Sequence, residues 1–153
     1  MLSIDDLYLP HDQQEVLARK YPHNPLVQHR GQPSTHDIAL GKELFRAIRN
    51  RDSNIKIPSY DKSAFNGQGD RRAVNEWETI NDDSSRQKVE VVIFEGWCVG
   101  FRSLSEEELR RKWEQAKAAA EGDSAYKGQL GKLHFESVQF VNAALKEYDA
   151  LTE

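Results

Sequence analysis

The stretch Val89–Phe101, with the sequence VEVVIFEGWCVGF, decides the fold of this chain. Its first half, Val89 to Phe94, is a nearly unbroken run of β-branched and aromatic residues. Such a run predicts a strand that is buried on both faces, as in a parallel sheet covered by helices. The run stops at Glu95-Gly96, and ligands of open α/β sheets bind beyond the carboxyl ends of the strands. Glu95 therefore either faces a ligand or caps the next segment, with Gly96 supplying a turn.

The bulk properties are those of one incomplete domain. The chain has 153 residues, a net charge of −4 and a single cysteine, Cys98. This charge gives no field that attracts nucleic acid or an anionic membrane, and one cysteine suits a reducing compartment. Because there is neither a signal peptide nor a long apolar run, the expected location is cytoplasmic. A mean hydropathy of −0.76 is low for buried strands, so we expect central elements of the domain to be absent.

Shorter elements are predicted on either side of the central run. We predict a single incomplete domain over residues 1–153, with an α/β part at 1–104 that carries the sequence motifs and a helical part at 105–153. The predicted elements are a strand end at 2–4, a helix at 12–21, a helix from Ser34 or Thr35 as N-cap to about Asn50, a strand at 55–57 stopped by Pro58, polar loops at 59–72 and 75–88, a helix behind a Ser105/Glu108 capping box, and a last helix at 133–151.

Carboxylates and cations are concentrated in three loops, each of which follows a predicted strand. Because parallel strands bring their carboxyl ends to one edge of a sheet, we expect the three loops to meet there. In phosphoryl transfer one carboxylate accepts the proton of the attacking hydroxyl, another holds Mg²⁺, and cations neutralise the transferred charge. Such side chains also populate ordinary solvated loops, so both interpretations stay open. The three groups are Asp5-Asp6, Tyr60-Asp61-Lys62 with Arg71, and Glu95.

Four blocks of sequence carry a family resemblance: SIDDLYL, QHRGQPSTHD, IPSYDKSAFNGQGDR and VVIFEGWCVGF. In this order they resemble the D-glycerate 3-kinase-like family of P-loop kinases, which is related to uridine kinase, phosphoribulokinase and pantothenate kinase. The resemblance covers roughly Leu2 to Phe101, and the helices from Ser105 to Glu153 resemble the fungal members. It implies an α/β fold with a partial P-loop NTPase-type parallel sheet flanked by helices, from which the central Walker A strand is absent.

The resemblance also implies roles for individual residues, with ATP and Mg²⁺ as cofactors. Asp5 occupies the position of the base that acts on the substrate hydroxyl, with Asp6 beside it, and Glu95 that of the acid that organises Mg²⁺, directly or through water. The alternatives are a turn role for Asp5, helix capping for His36 and Asp37, and packing for Tyr60. The residues implied near the acceptor and phosphates are Arg30, His36, Asp37, Tyr60, Asp61, Lys62 and Arg71.

The chain departs from the family pattern in two respects. The family usually reads Gln-Gly-Arg-Gly and Pro-Gly-Thr-His-Asp, whereas this chain has His29 and Ser34 in place of two glycines. A side chain at a position that needs positive φ strains the backbone by about 1 kcal/mol or more. The phosphate-binding pattern GxxxxGK[ST] occurs nowhere in the sequence. We therefore expect that loop, and the lid over the nucleotide, to lie outside these residues, through truncation or a shortened gene model.

Two functions of different classes follow. The first is an ATP-dependent kinase that phosphorylates a hydroxyl of glycerate or a similar hydroxy acid, with no nucleic-acid or membrane partner. The second is a catalytically inactive remnant that acts as a binding or interaction module, holding an acidic small molecule through Arg30, Lys62 and Arg71. Without the phosphate loop, we expect little or no kinase activity from residues 1–153 alone. A generic α/β interaction domain is a distant third, because it leaves the motif blocks unexplained.

Overall fold

A computed structural model describes residues 1–84, 88–122 and 125–152. Every strand in these ranges is two or three residues long, so helices and turns supply most of the order. No helix among them is long and apolar enough to cross a membrane. In chain order the elements are β1 (Leu2–Ser3), α1 (His11–Lys20), α2 (Ile38–Arg49), β2 (Ile55–Ile57), β3 (Tyr60–Asp61), β4 (Asp70–Arg71), β5 (Glu78–Ile80), β6 (Phe94–Glu95), α3 (Glu106–Gly122) and α4 (Phe135–Tyr148).

The end of the central run pairs in parallel with the start of the chain. β6 lies beside β1, with Leu2 opposite Phe94 and Ser3 opposite Glu95. The strand end expected at residues 2–4 is therefore confirmed, and so is a parallel pairing at this point. The fold is a mixed one of helices and sheet that includes a small parallel sheet.

The prediction that Val89–Phe94 is buried on both faces is wrong. Val92 and Phe94 pack against the core, whereas Val91 is 80% and Ile93 62% exposed. This alternation is typical of a strand that is covered on one face only. Among the described residues, β1 is the only strand that pairs with this run, and nothing covers its outer face.

The polar segments predicted as loops contain three short strands, β3, β4 and β5. β2 pairs with β5, and β3 with β4. The expectation that Tyr60-Asp61-Lys62 follows a strand of the same parallel sheet is therefore wrong. Pro58 has no backbone N–H to continue a ladder, so the chain leaves β2 there and folds back as the β3–β4 hairpin.

Most helix boundaries lie close to their predicted positions, but one cap differs. α1 ends before Pro22, and the predicted capping box is present, with the Glu108 N–H 3.3 Å from Ser105 Oγ and the Ser105 N–H 3.2 Å from Glu108 Oε2. The predicted N-cap of α2, Ser34 or Thr35, is wrong. Asp37 caps this helix instead, because its Oδ1 accepts the N–H three residues further on at 3.0 Å.

The C-terminal end of α4 packs against the first turn of the chain. Residues Ile4–Leu7 form a 3₁₀ turn in which Ile4 and Leu7 are 1% and 2% exposed, and both pack in one cluster with Tyr148. Residues three apart in such a turn lie above one another. Burial of Ile4 and Leu7 therefore turns the two intervening carboxylates, Asp5 and Asp6, away from the core.

Candidate active site

Asp5 lies just beyond the first strand, and two side chains donate to its carboxylate. Lys62 Nζ is 2.6 Å from Oδ2, and the Tyr8 hydroxyl is the second donor. Burial raises the pKa of Asp5, but the hydrogen bonds from Lys62 and Tyr8 outweigh it, so the pKa lies below its ordinary value. The carboxylate is therefore ionised at neutral pH and can accept a further hydrogen bond.

Asp6, although adjacent, has a different environment. Its Oδ1 accepts the backbone N–H of Tyr60 at 3.1 Å, which fixes the β3–β4 hairpin to the first turn. Burial raises the pKa of Asp6 above its ordinary value, and the negative charges of Asp5 and Glu95 add to this effect. Asp6 thus holds the hairpin in place, whereas Asp5 is paired at the surface.

A cavity of about 520 Å³, here called the Asp5 cavity, opens in front of this carboxylate. Arg30 reaches it from the segment before α2 and donates to the carbonyl oxygens of Gly67, at 2.7 Å, and Gln68. These contacts hold the tip of the hairpin against the Arg30 segment. The cavity is therefore bounded by one carboxylate and two cations. Its main lining residues are Asp5, Tyr8, His29, Arg30, Lys62 and the hairpin tip 66–68.

Arg71 and Asp37 form an ion pair away from this cavity. Arg71 Nη1 is 3.0 Å from Asp37 Oδ2, and Nη2 donates to the Tyr8 carbonyl at 2.7 Å. The Arg71 side chain is only 12% exposed. Because Asp37 also caps α2, this pair joins the hairpin, the first turn and the helix. The capping alternative for Asp37 is the one that the geometry supports.

His36 is buried beside two tyrosines. Its ring stacks on Tyr8 with 4.4 Å between ring centres, and its Nδ1 is 2.7 Å from the Tyr148 hydroxyl. Burial lowers the pKa of His36 to about 4, and the charge of Asp5 opposes this only in part. The ring is therefore neutral at neutral pH. It supports Tyr8 from behind, while Tyr8 donates to Asp5.

Tyr60 and Asp61 belong to the hairpin rather than to the lining of the Asp5 cavity. Tyr60 is buried, and its ring meets Tyr8 edge-on at 5.4 Å between centres. Asp61 accepts from the Ser63 hydroxyl at 2.6 Å and from its N–H at 2.9 Å, and these bonds lower the pKa of Asp61. Its other oxygen is 3.2 Å from Arg72. The packing alternative for Tyr60 therefore fits the structure.

Glu95 ends β6 and is exposed. Because β1 and β6 are parallel, Glu95 and Asp5 both lie at the carboxyl end of the pair. Gly96 has a φ of 148°, and a Cβ there would collide with Ile4, so this turn requires glycine. The described residues contain no group of three His, Cys, Asp or Glu side chains that could hold a metal ion. Mg²⁺ commonly takes only one or two protein carboxylates besides phosphates, so Glu95 fits as a single ligand.

Sequence reasoning missed Tyr8 and Tyr148. Tyr8 follows Asp5 by one 3₁₀ turn, and this spacing is the signal that could have identified it. Tyr148 lies 112 residues from His36, and no local pattern indicates that contact. The strain expected at Ser34 is present, because its φ is 92°, whereas His29 has an ordinary φ.

Comparisons with known proteins agree with this organisation. No family model matches the chain. It is 45% identical over 103 residues to the uncharacterized kinase mug58 of Schizosaccharomyces pombe. It is 36% identical over 106 residues to the chloroplastic D-glycerate 3-kinase of Arabidopsis thaliana. The structure is similar to D-glycerate 3-kinase from Cryptococcus neoformans var. grubii, with a TM-score of 0.81 at 32% identity.

The relatives matched in sequence and in structure are named as kinases, which places the chain in the class of kinase-like proteins. Within this class the chain belongs to the D-glycerate 3-kinase-like family, as the four sequence blocks indicated. The chain spans only part of its relatives, since the sequence matches cover 67% of the chain but 36% and 22% of the two proteins. The structural match covers 98% of the chain and 49% of the Cryptococcus protein.

Proposed function

We propose that the chain forms the acceptor-binding side of an ATP-dependent kinase that phosphorylates a hydroxyl of glycerate or a similar hydroxy acid. The observation that carries the proposal is the Asp5 cavity, where an ionised carboxylate and the cations of Lys62 and Arg30 surround one space. A hydroxy acid has the complementary groups, because its carboxylate pairs with cations and its hydroxyl donates to a carboxylate. The likeness to proteins named D-glycerate 3-kinase supports this acceptor class.

In this reaction Asp5 takes a proton from the acceptor hydroxyl. The hydroxyl oxygen attacks the terminal phosphorus of ATP, a new P–O bond forms, and the bond to the bridging oxygen breaks as ADP leaves. Phosphoryl transfer depends mainly on positioning and on charge stabilisation. A carboxylate that Lys62 and Tyr8 keep ionised is therefore suited to align the nucleophile. Lys62 and Arg30 bind the acceptor carboxylate.

The other predicted residues take supporting roles in this proposal. Glu95 would hold Mg²⁺, directly or through water, and the ion would neutralise charge on the phosphates. The triphosphate would be anchored by a P-loop outside these 153 residues, because the sequence contains no GxxxxGK[ST]. The residues that shape the cavity without lining it are Asp6, His36, Asp37, Tyr60, Asp61 and Arg71.

A screen of hydroxy acids tests the proposal, first by binding and then by turnover with Mg-ATP. We expect residues 1–153 to bind D-glycerate, and Lys62→Met to weaken this binding about tenfold, as loss of a charge-assisted contact predicts. Lys42→Met, which removes an exposed charge on α2, is the matched control and should leave binding unchanged. We expect turnover only in a reading frame that includes GxxxxGK[ST].

Three results would count against this proposal. Absence of binding by every hydroxy acid would remove the acceptor site, and it would count equally against an inactive module that holds an acidic small molecule. An extended reading frame without GxxxxGK[ST] would argue against a kinase. ATP turnover by residues 1–153 above that of a Glu95→Gln variant would contradict the requirement for a phosphate loop outside them.

A further inference from the structure

Trp97 forms a hydrogen bond between two segments that carry predicted site residues. Its indole Nε1 donates to the carbonyl oxygen of Gly31 at 2.9 Å, across 66 residues of sequence. Trp97 follows Glu95 by two positions, and Gly31 directly follows Arg30. The indole lies outside the Asp5 cavity, and Trp97 is 49% exposed. The bond therefore connects the end of β6 to the backbone beside one cation of the cavity.

The turn that carries Trp97 is held against the core on both sides. Before it, Gly96 lies so close to Ile4 that a Cβ on this glycine would collide with that side chain. After it, Cys98 is fully buried and belongs to the same core cluster as Ile4. Because both neighbours of Trp97 are fixed, the indole N–H is presented to Gly31 at a defined position.

The backbone around Arg30 has few internal constraints. Residues 29–32 form turns between the 3₁₀ turn Pro25–Val27 and α2. The Gly31 N–H donates to Thr35 Oγ1 at 3.0 Å, and this hydroxyl donates to the Gln32 carbonyl at 2.7 Å, so both bonds stay within the loop. The bond from Trp97 is the one that joins this backbone to the end of β6.

The three tryptophans of the chain make the same kind of bond in different places. Trp77 Nε1 donates to the Arg72 carbonyl at 2.8 Å, five residues away, and Trp113 Nε1 donates to the Leu133 carbonyl at 2.8 Å within the helical part. The bond from Trp97 differs because both of the segments that it joins carry predicted site residues. Trp113 is therefore a matched reference for an indole hydrogen bond that is distant in sequence and belongs to the framework.

We propose that Trp97 is a positioning residue for the acceptor, which holds the backbone at Gly31 so that the Arg30 guanidinium is placed to bind the acceptor carboxylate. Glu95 lies on the same strand end as Trp97, so the bond also ties the acceptor side to the strand end that carries Glu95. Phosphoryl transfer depends on such alignment of the reacting groups. This inference rests on the proposed function, since Arg30 has an acceptor carboxylate to bind only if that function holds.

The test measures by isothermal titration calorimetry the dissociation constant for D-glycerate, or for the hydroxy acid that the screen finds to bind most tightly. Trp97→Phe keeps an aromatic ring and removes the N–H, and we expect about fivefold weaker binding, the loss of about one hydrogen bond. Trp113→Phe removes the matched bond and should keep the affinity within about twofold. Urea unfolding of both variants shows how much stability each has lost.

A double-mutant cycle with Arg30→Met separates positioning from a merely structural contact. Arg30→Met alone should weaken binding about tenfold, which the same titration can measure. If Trp97 acts through Arg30, adding Trp97→Phe to this variant should weaken binding by less than about twofold more. A further loss of about fivefold in the double variant would mean that Trp97 acts independently of Arg30, and would overturn the inference.

The outcomes distinguish this inference from the proposed function. Unchanged affinity in Trp97→Phe would overturn the inference and leave the acceptor site standing. Equal losses of affinity in Trp97→Phe and Trp113→Phe would assign the effect to general stability, and would also overturn it. If the unmodified chain binds no hydroxy acid, the proposed function fails and this inference fails with it.

Discussion

The Asp5–Lys62 and Asp37–Arg71 ion pairs join the same types of group in neighbouring parts of the molecule, but their surroundings differ. The Lys62 side chain is 59% exposed and faces a cavity, whereas the Arg71 side chain is 12% exposed. Arg71 also donates to a backbone carbonyl, and Asp37 also caps α2. The two carboxylates are about equally exposed, at 27% for Asp5 and 26% for Asp37, so the difference lies in the cations. An exposed cation can exchange its partner for a ligand at little cost, whereas removal of a largely enclosed cation with several hydrogen bonds leaves its partners unpaired. The contrast separates groups available to a ligand from groups that hold the framework.

The sharpest test of the exposed pair is Asp5→Asn, which keeps the shape of the side chain and removes its charge. In a reading frame that transfers phosphate to D-glycerate, we expect kcat/KM to fall by about 10²–10⁴, because the base is lost. The free energy of unfolding should change little. Asp6→Asn is the matched control, since Asp6 bonds the hairpin and should act on stability more than on turnover. A fall of less than tenfold in Asp5→Asn would remove Asp5 from the role of base.

The next largest effect belongs to His36 on the framework side. The pKa of His36 is about 4 in the folded protein, and its ordinary value of 6.5 applies to the unfolded chain. Between these values the unfolded chain binds a proton that the folded chain does not, so stability rises with pH across this window and is lost as pH falls. This difference between the two pKa values corresponds to a loss of about 3 kcal/mol in the free energy of unfolding once the pH is below both. Urea unfolding at pH 7 and pH 4 should show a smaller acid loss in His36→Asn, and an equal loss would contradict burial of a neutral ring.

Arg71→Met and Lys62→Met compare the two pairs directly. We expect Arg71→Met to cost about 2–3 kcal/mol, because it leaves Asp37 without its cation and the Tyr8 carbonyl without a donor. Lys62→Met should cost less than about 1 kcal/mol, as exposed pairs do. The measurement is the urea midpoint at neutral pH, with the 43% exposed Arg72 replaced by Met as control. Similar losses of stability in Arg71→Met and Lys62→Met would mean that the two ion pairs contribute equally to the framework.

Local patterns explain what could be predicted from the sequence. The Ser105 capping box, the strand at 55–57 and the helix before Pro22 each depend on residues a few positions apart. The direction in which β2 pairs depends instead on the path of the chain after Pro58. The hydrophobic periodicity of the sequence does not indicate that direction. The exposure of Val91 likewise depends on what covers the strand, which an apolar run does not specify.

The candidate site divides in the same way. The resemblance named Asp5, Arg30 and Lys62, and these three line one cavity. It also named Asp37 and Arg71, which lie in the framework because their partners come from distant segments. Residue type alone does not separate the two sets, since both contain a carboxylate and a cation. Their catalytic and binding roles stay predictions.

The smallest expected effect concerns Ser34, in the loop that leads to His36 and α2. Its φ of 92° is costly for a residue with a Cβ, and its Oγ is buried with no hydrogen-bond partner among the described residues. Ser34→Gly relieves both costs and keeps the backbone N–H that donates to Tyr148. Because glycine also gains freedom in the unfolded chain, we expect a net stabilisation of about 1 kcal/mol, measured as a higher urea midpoint.

Ser34→Ala distinguishes the two costs, because it removes the hydroxyl and keeps the Cβ. If backbone strain dominates, alanine should gain much less than glycine, and D-glycerate affinity should stay within about twofold in both variants, since the Tyr148 contact still fixes the loop. Equal gains would assign the effect to the unpaired hydroxyl. A loss of stability in Ser34→Gly would mean that the loop does not adopt the left-handed conformation, and the framework beside Asp37 would then be less constrained than its hydrogen bonds imply.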